Sequence, residues 1–223
     1  MGIDSLSTPL HQAVKKLCEG PDGLYYALLF QGGITCFDKD IEKFLPVRFD
    51  KPLELKDILD FCWNDGSLYL VTSQGLFESR IVRKTEGKHD FVLCLLNPEP
   101  VVRGKVAHLC SDGKTNLYFS VNQRKVVHYD LVAKKTSLIK EYSVVNRLFL
   151  RHGYLWICRL WDDIICYDLK TNEERVISME GKDQSEFSNS YVTDLVLKDN
   201  RTFYLTTWNG LYKLRFDNDN LCK

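Results

Sequence analysis

Residues 68–70 read Leu-Tyr-Leu, and an apolar residue followed by an aromatic residue recurs at the same place in four other apolar segments. The central aromatic residues are 44 (25 to 69), 49 (69 to 118), 38 (118 to 156) and 48 (156 to 204) positions apart. A repeat of roughly 40 to 50 residues therefore organises the chain. The five segments are Leu24-Tyr25-Tyr26, Leu68-Tyr69-Leu70, Leu117-Tyr118-Phe119, Leu155-Trp156-Ile157 and Phe203-Tyr204-Leu205.

Each repeat predicts up to four short strands, a to d, joined by tight polar turns. Strand b carries the apolar residue and the aromatic residue that follows it. The turn before strand b is rich in Gly, Asp and Asn, which suit hairpins. Strand a is predicted at residues 14–17, 58–63, 106–110, 145–150 and 191–197, and strand c at 33–38, 75–80, 126–131, 164–169 and 210–216. Strand d is predicted only at residues 44–49, 91–96, 137–142 and 175–179.

This period in an all-strand sequence is typical of a β-propeller, in which stacked blades bury one another. We predict an all-β fold, a five-bladed β-propeller of four-stranded antiparallel blades, with the strand b aromatic residues packed between blades. One domain spans residues 1–223, with blades at residues 11–50, 57–97, 105–142, 144–180 and 190–217. Because the last blade lacks a d strand, residues 3–10 are expected to complete it; otherwise its edge is open or another chain covers it.

Three predicted c strands end in an aromatic residue followed by aspartate: Phe37-Asp38, Tyr129-Asp130 and Tyr167-Asp168. This ending resembles the WD40-like and related propeller repeats, where such a pair closes strand c before a polar turn. The resemblance covers nearly the whole chain as a pattern, although the Gly-His pair that WD40 blades carry near strand a is missing. It implies propeller architecture and no particular family.

The charge balance argues against nucleic acid as the main partner, because 30 basic residues face 30 acidic residues. No run approaches the ~18 apolar residues that cross a bilayer, and no signal peptide is visible at the N-terminus. Eight cysteines without C-x-x-C spacing fall mostly in predicted strands, which favours reduced core thiols over zinc or disulfides. We therefore expect a cytoplasmic or nuclear protein that has no metal, no cofactor and no membrane contact.

The d–a and b–c loops of a propeller share one face, and two predicted b–c turns carry tryptophan. Turn tips are normally polar, whereas Trp and Arg are favoured anchors of protein interfaces. We predict a partner-binding patch of Trp161, Trp208, Arg124, Arg159 and Gln74. The alternative is that both tryptophans fold over the blade ends as lids.

These features favour a non-enzymatic protein-interaction module or scaffold subunit. Its partners are expected to be proteins, including further copies of this chain or a chain that completes the edge. A lectin-like carbohydrate binder is the alternative, because Gln31, Gln74 and Gln123 recur in the b–c turns. A hydrolase or lyase with a site in the central channel is a second alternative. The sequence has no phosphate-binding loop, nucleophile elbow or metal-ligand spacing, so an enzyme is not expected.

Overall fold

The computed structural model describes residues 13–30, 32–50, 58–84, 90–160, 163–177, 191–199 and 202–215. Within these residues the chain forms β-strands joined by turns and bends, and no helix. The prediction of an all-β chain is confirmed. The strand expected at residues 3–10 lies outside the described residues, so the covering of the last blade by that segment stays a prediction.

The first two repeats form eight strands in the predicted order. They are β1 (Val14–Glu19), β2 (Tyr25–Leu29), β3 (Ile34–Asp38), β4 (Lys43–Phe49), β5 (Asp60–Asn64), β6 (Ser67–Thr72), β7 (Gly75–Arg83) and β8 (Phe91–Leu95). Within each repeat, consecutive strands pair antiparallel, as expected of a meander.

The two repeats do not form separate sheets, contrary to expectation. β4 and β8 pair in parallel, with Val47 opposite Phe91, and the strand order becomes β1-β2-β3-β4-β8-β7-β6-β5. Each of these strands would otherwise expose an unpaired edge, and joining the two edges satisfies their backbone groups. Val47, Phe91 and Leu93 are buried along this seam, so the pairing also adds apolar contact.

A short strand that the sequence did not predict covers the beginning of β7. This strand, β9 (Val102–Arg103), pairs antiparallel with Gly75 and Leu76. Gly75 has φ 145°, and a Cβ at this position would lie 2.1 Å from the Val102 carbonyl oxygen. Only glycine therefore allows the two backbones to approach so closely.

The remaining repeats follow the predicted strand order. The sheet of the third repeat comprises β10 (Val106–Ser111), β11 (Asn116–Val121), β12 (Lys125–Asp130) and β13 (Lys135–Glu141), and that of the fourth repeat comprises β14 (Val145–Arg151), β15 (Tyr154–Arg159), β16 (Ile164–Asp168) and β17 (Glu174–Ile177). In the described part of the last repeat only three strands are seen, β18 (Val192–Leu197), β19 (Thr202–Thr207) and β20 (Gly210–Arg215).

The chain divides into two compact units, and the division runs through the sheet of the third repeat. Met1–Leu117 and Tyr129–Lys135 belong to the first unit, and Tyr118–His128 and Thr136–Lys223 belong to the second. The single domain and the count of five blades therefore stay predictions, whereas the strands from which they were inferred are observed.

The aromatic residues of the b strands are buried where the sequence placed them in three repeats out of five. Tyr69, Tyr118 and Trp156 are buried. In the first and last repeats the neighbouring aromatic residue is the buried one: Tyr26 packs on Trp63 with ring centroids 5.2 Å apart, and Phe203 packs on Trp156 at 5.3 Å. Successive side chains on a strand point to opposite faces, so a one-residue error in register exchanges the buried ring for the exposed one.

The cysteines behave as small apolar residues of the core. The seven within the described residues are free, and Cys36, Cys62, Cys158 and Cys166 are buried. Burial raises the pKa of the Cys18 thiol to about 11 and that of Cys36 to about 12, which keeps both protonated and unreactive at neutral pH.

A buried carboxylate joins three a strands of the first unit. The Asp60 carboxylate accepts hydrogen bonds from the Lys16 ammonium at 2.7 Å and from the backbone N–H groups of Phe61 and Leu109, both at 2.8 Å. Burial alone lowers the pKa of Lys16, but the Asp60 carboxylate outweighs that effect, so the pKa is raised above its usual 10.5. The Lys16 side chain is 30% exposed and the Asp60 side chain 6%, so Asp60 relies on these partners.

Replacing Lys16 by methionine should destabilise the first unit. The change leaves the Asp60 carboxylate buried without its counter-charge, and we expect a loss of about 2 kcal/mol, below the ~3–5 kcal/mol for fully buried pairs because Lys16 is partly solvated. Urea unfolding followed by circular dichroism measures it. Lys15→Met is the matched control, since Lys15 is the neighbouring lysine of the same strand and its ammonium bonds at the exposed surface to the Leu59 carbonyl oxygen. Equal losses for the two variants would contradict the role given to Asp60.

Candidate functional site

The b–c turns lie beside the d–a connections, as expected for loops that share one face. Main-chain hydrogen bonds join them within each unit. In the first unit, the Phe30 N–H donates to the Ala13 carbonyl oxygen at 2.8 Å, and the Gly104 N–H donates to that of Gln74 at 3.2 Å. In the second unit, the N–H groups of Val145, Leu160 and Trp208 donate to the carbonyl oxygens of Gln123, Val144 and Tyr191, at 2.7, 2.8 and 3.2 Å respectively. The turns that carry the predicted patch are therefore fixed by their backbones.

Two b–c turns have the same construction, which the sequence analysis did not recognise. They are Thr72-Ser73-Gln74-Gly75 and Thr207-Trp208-Asn209-Gly210. In each, the threonine hydroxyl oxygen accepts the N–H two residues later at 3.1 Å and donates to the glycine carbonyl oxygen, at 3.4 and 3.3 Å. The glycines have φ 145° and 144°. The sequence signal for this turn is the pattern Thr-x-(Gln/Asn)-Gly, which both segments contain.

Trp208 stands at the tip of the second of these turns and is 74% exposed. Its ring stacks on Tyr191, with centroids 4.8 Å apart and planes 21° apart. The ring is therefore not a lid over the sheet: it is held by one neighbour and offers the rest of its surface to solvent. Trp161, the other predicted anchor, lies outside the described residues.

Of the two predicted arginines, Arg159 adds its charge to a polar cluster around Glu174 in the second unit, and Arg124 is joined to that cluster through its backbone. The Arg124 carbonyl oxygen accepts the Tyr142 N–H at 3.0 Å, and the Tyr142 hydroxyl donates to Glu174, which also binds Lys140. Arg159 donates through Nε to the Asp163 carbonyl oxygen at 3.2 Å, and its charge helps to lower the pKa of Glu174. Burial and the Glu174 carboxylate raise the pKa of Tyr142.

The glutamines of the alternative carbohydrate site do not share one backbone geometry. Gln74 occupies the third position of the Thr-x-(Gln/Asn)-Gly turn, whereas Gln123 follows Asn122 in a turn where both residues have left-handed φ, 56° and 53°. Gln31 lies outside the described residues. Gln74 belongs to the first unit and Gln123 to the second. Carbohydrate binding stays a prediction.

A further aromatic residue occupies the tip position in the first repeat. Phe30 directly follows β2 as Trp208 directly follows β19, and Phe30 is 67% exposed. The sequence pattern pointed to its neighbour Gln31 instead. Phe30 follows Tyr26 by four residues, as Trp208 follows Tyr204 (26 to 30 and 204 to 208). This spacing could have found Phe30 only if the first repeat had been aligned on Tyr26.

A cleft of about 270 Å³ lies at the opposite end of the first unit's strands, between β2 and the ends of β7 and β8. Asp22 accepts the Tyr26 hydroxyl at 2.8 Å on one wall, and Arg83 lies 5.5 Å above the Phe91 ring on the other. Asp38 and Asp40 contact Arg83 at 3.4 and 3.8 Å but do not line the cleft. Its lining carries one carboxylate, Asp22, and one cation, Arg83.

Neither a metal centre nor a membrane helix is found in the described part of the chain. No three His, Cys, Asp or Glu residues there are grouped to hold a metal ion, and no helix there is long and apolar enough to span a bilayer.

The fold places the chain in the class of all-β repeat proteins with a propeller-like arrangement of antiparallel meanders. No protein-family model and no curated protein sequence matches it. Its structure is similar to the extracellular domain of BT4673 from B. thetaiotaomicron, with a TM-score of 0.70 and 15% identity over 99% of this chain and 30% of that chain.

Two further similar structures support the same fold. One is a chain of the mitotic checkpoint complex, with a TM-score of 0.63 and 16% identity over 94% of this chain and 64% of that one. The other is the N-terminal domain of Nup159, with a TM-score of 0.58 and 11% identity over 93% of this chain and 60% of that one. The chain thus spans less than two thirds of each of these proteins, and the likeness concerns the fold alone.

The polar cluster at Glu174 should make stability depend on acid pH. Burial by itself raises the pKa of Glu174, but the bonds from Lys140 and Tyr142 outweigh it and lower the pKa below its usual 4.5. The stabilisation is therefore present above about pH 4.5 and is lost as the pH falls through the folded-state pKa. We expect Glu174→Gln to cost about 1 kcal/mol at pH 6.

Urea unfolding of the wild type and of Glu174→Gln at about pH 3 and about pH 6 measures this difference, with Glu173→Gln, the preceding exposed carboxylate, as the control. The gap between wild type and Glu174→Gln should shrink at the lower pH, because protonation of Glu174 then removes part of the contribution of its charge. A gap of equal size at both pH values would show that charge at Glu174 is not what stabilises the cluster.

Proposed function

We propose that this protein is a non-enzymatic interaction module that binds protein partners through the turn face of its last sheet. The exposed Trp208 ring, stacked on Tyr191, is the observation that carries the proposal. A large aromatic ring that is held in place yet solvent-exposed loses little conformational freedom on binding, and it buries much apolar area. Such residues are typical anchors of interfaces.

The surroundings of Trp208 support a contact surface. Leu211, three residues further along the same hairpin, is 66% exposed, and Val196 on β18 is also exposed. On β19 the residues opposite these two, Thr206 and Tyr204, share one face. Exposed apolar residues that are contiguous, with polar neighbours such as Asp194 and Lys213, are characteristic of interaction sites.

The comparisons support the same class of function by analogy. The mitotic checkpoint complex is by its name an assembly, and a chain within it has a fold similar to this one. Fold alone does not determine function, so the proposal rests on Trp208. The free cysteines support a reducing location, and we propose the cytoplasm or the nucleus.

Replacing Trp208 by alanine should remove partner binding without unfolding the protein. The ring contributes to no buried core, so the unfolding midpoint should change little, whereas loss of an anchor weakens an interface by about 2 kcal/mol or more, roughly thirtyfold. Quantitative mass spectrometry of proteins retained by the tagged full chain measures the effect. Val132→Ala is the matched control, because Val132 is an equally exposed apolar turn residue.

We expect one set of proteins to be retained by the wild type and by Val132→Ala and to be lost with Trp208→Ala. Retention of every partner by Trp208→Ala would refute the proposed patch. Trp208→Phe should give intermediate retention, because it keeps part of the stacked ring.

A further inference from the structure

The two equivalent turns differ in what lies against their glycine. At Gly75 the backbone of β9 fills the space beside Cα, with the Val102 carbonyl oxygen 2.1 Å from the position of a Cβ. At Gly210, nothing in the described part of the chain comes within 4 Å of that position. Among the described residues, the turn of the last sheet thus lacks the covering strand that its counterpart has.

The backbone beside Gly210 is oriented to accept a strand. Leu76 is paired with Val71 across the hairpin, and its carbonyl oxygen accepts the Val101 N–H at 2.8 Å from outside. Leu211 is paired with Thr206 at the same distance from the turn. Because alternate residues of an antiparallel strand direct their polar groups to opposite sides, the Leu211 carbonyl oxygen points away from β19, toward the outer edge.

The edge is continuous with the proposed contact patch. β20 pairs with β19 on one side, and among the described residues no strand pairs with its other side. Trp208 lies two residues before Gly210, and the Leu211 side chain is exposed. Backbone acceptors and an aromatic anchor therefore stand within one hairpin.

Two coverings were expected for the last sheet, residues 3–10 or another chain, and we propose the second: the Gly210–Leu211 edge binds an extended segment of a protein partner by strand addition, in the way that β9 binds Gly75 and Leu76. In this mode main-chain hydrogen bonds provide affinity and nearby side chains provide specificity. The segment must donate an N–H to the Leu211 carbonyl oxygen, so it has no proline at that position. Its neighbouring side chain is apolar, to pack on Trp208 or Leu211. This inference rests on the proposed function and specifies its binding mode.

The chain itself supplies a probe for this mode. The peptide Glu-Pro-Val-Val-Arg-Gly-Lys copies residues 99–105, the segment that contains β9. Titrated into the 15N-labelled full chain, it should shift the amide signals of Leu211 and its neighbours and the Trp208 indole signal, and slow the exchange of the Leu211 amide. A version methylated on the nitrogen of its first valine, the copy of Val101, should bind roughly tenfold more weakly because it lacks the donated hydrogen.

Two controls separate the edge from other effects. Methylation of the backbone nitrogen of the peptide's lysine lies beyond the paired residues and should change the affinity of the peptide little. On the protein, Gly210→Ala places a Cβ in the open space and should abolish binding, whereas Gly66→Ala strains another turn glycine, with φ 79°, and should retain it. The methylated peptides leave the protein unchanged, so the test does not depend on the stability of the Gly210 variant.

Equal binding of the parent peptide and the peptide methylated at its first valine would overturn the inference, as would shifts confined to residues outside the last hairpin or no shifts at millimolar peptide. The proposed function fails separately, through Trp208→Ala in the retention experiment. Loss of partners with Trp208→Ala together with no peptide binding would leave the contact patch standing and refute strand addition.

Discussion

The hydrogen-bonded carboxylate of Asp60 is the interaction on which the arrangement of the first unit depends. A buried carboxylate is tolerated only when its lone pairs are used and its charge is compensated. Here the donors come from β1, β5 and β10, so three successive repeats must be in register for the carboxylate to be satisfied. Because strand a leads each meander, this register also sets where the following turns lie. A polar requirement thereby positions the surface turns.

The strands of this fold could be predicted from the sequence, but the contacts between repeats could not. Period-two patterning and turn residues act locally, which is why β6 or β15 was found within one or two residues of its observed bounds. The parallel pairing of β4 with β8 depends on two edges that are 44 residues apart (47 to 91), and no local pattern encodes that choice. The same holds for β9, whose two residues are too few to show any alternation.

The site was predicted in part, for a physical reason. Trp208 could be found because an exposed tryptophan in a polar turn contradicts ordinary burial preferences. Its stacking on Tyr191 and the equivalence of its turn with that of Gly75 could not, since both depend on side-chain and backbone geometry in space. Phe30 was missed because the repeat was aligned on Tyr25 rather than on the buried Tyr26, and one residue of register decides which side chains face solvent.

The comparison of Gly75 with Gly210 argues for where specificity resides in a repeat protein. Selection for folding acts on both turns alike, since each needs its threonine bonds and a glycine at positive φ. It does not explain why residue 73 is serine beneath a covering strand while residue 208 is tryptophan beside an edge that no described strand covers. An exposed aromatic residue adds little to the stability of the hairpin beyond its stacking on Tyr191, and it increases the risk of aggregation. Its presence at the uncovered copy of the turn is accounted for if a partner covers it.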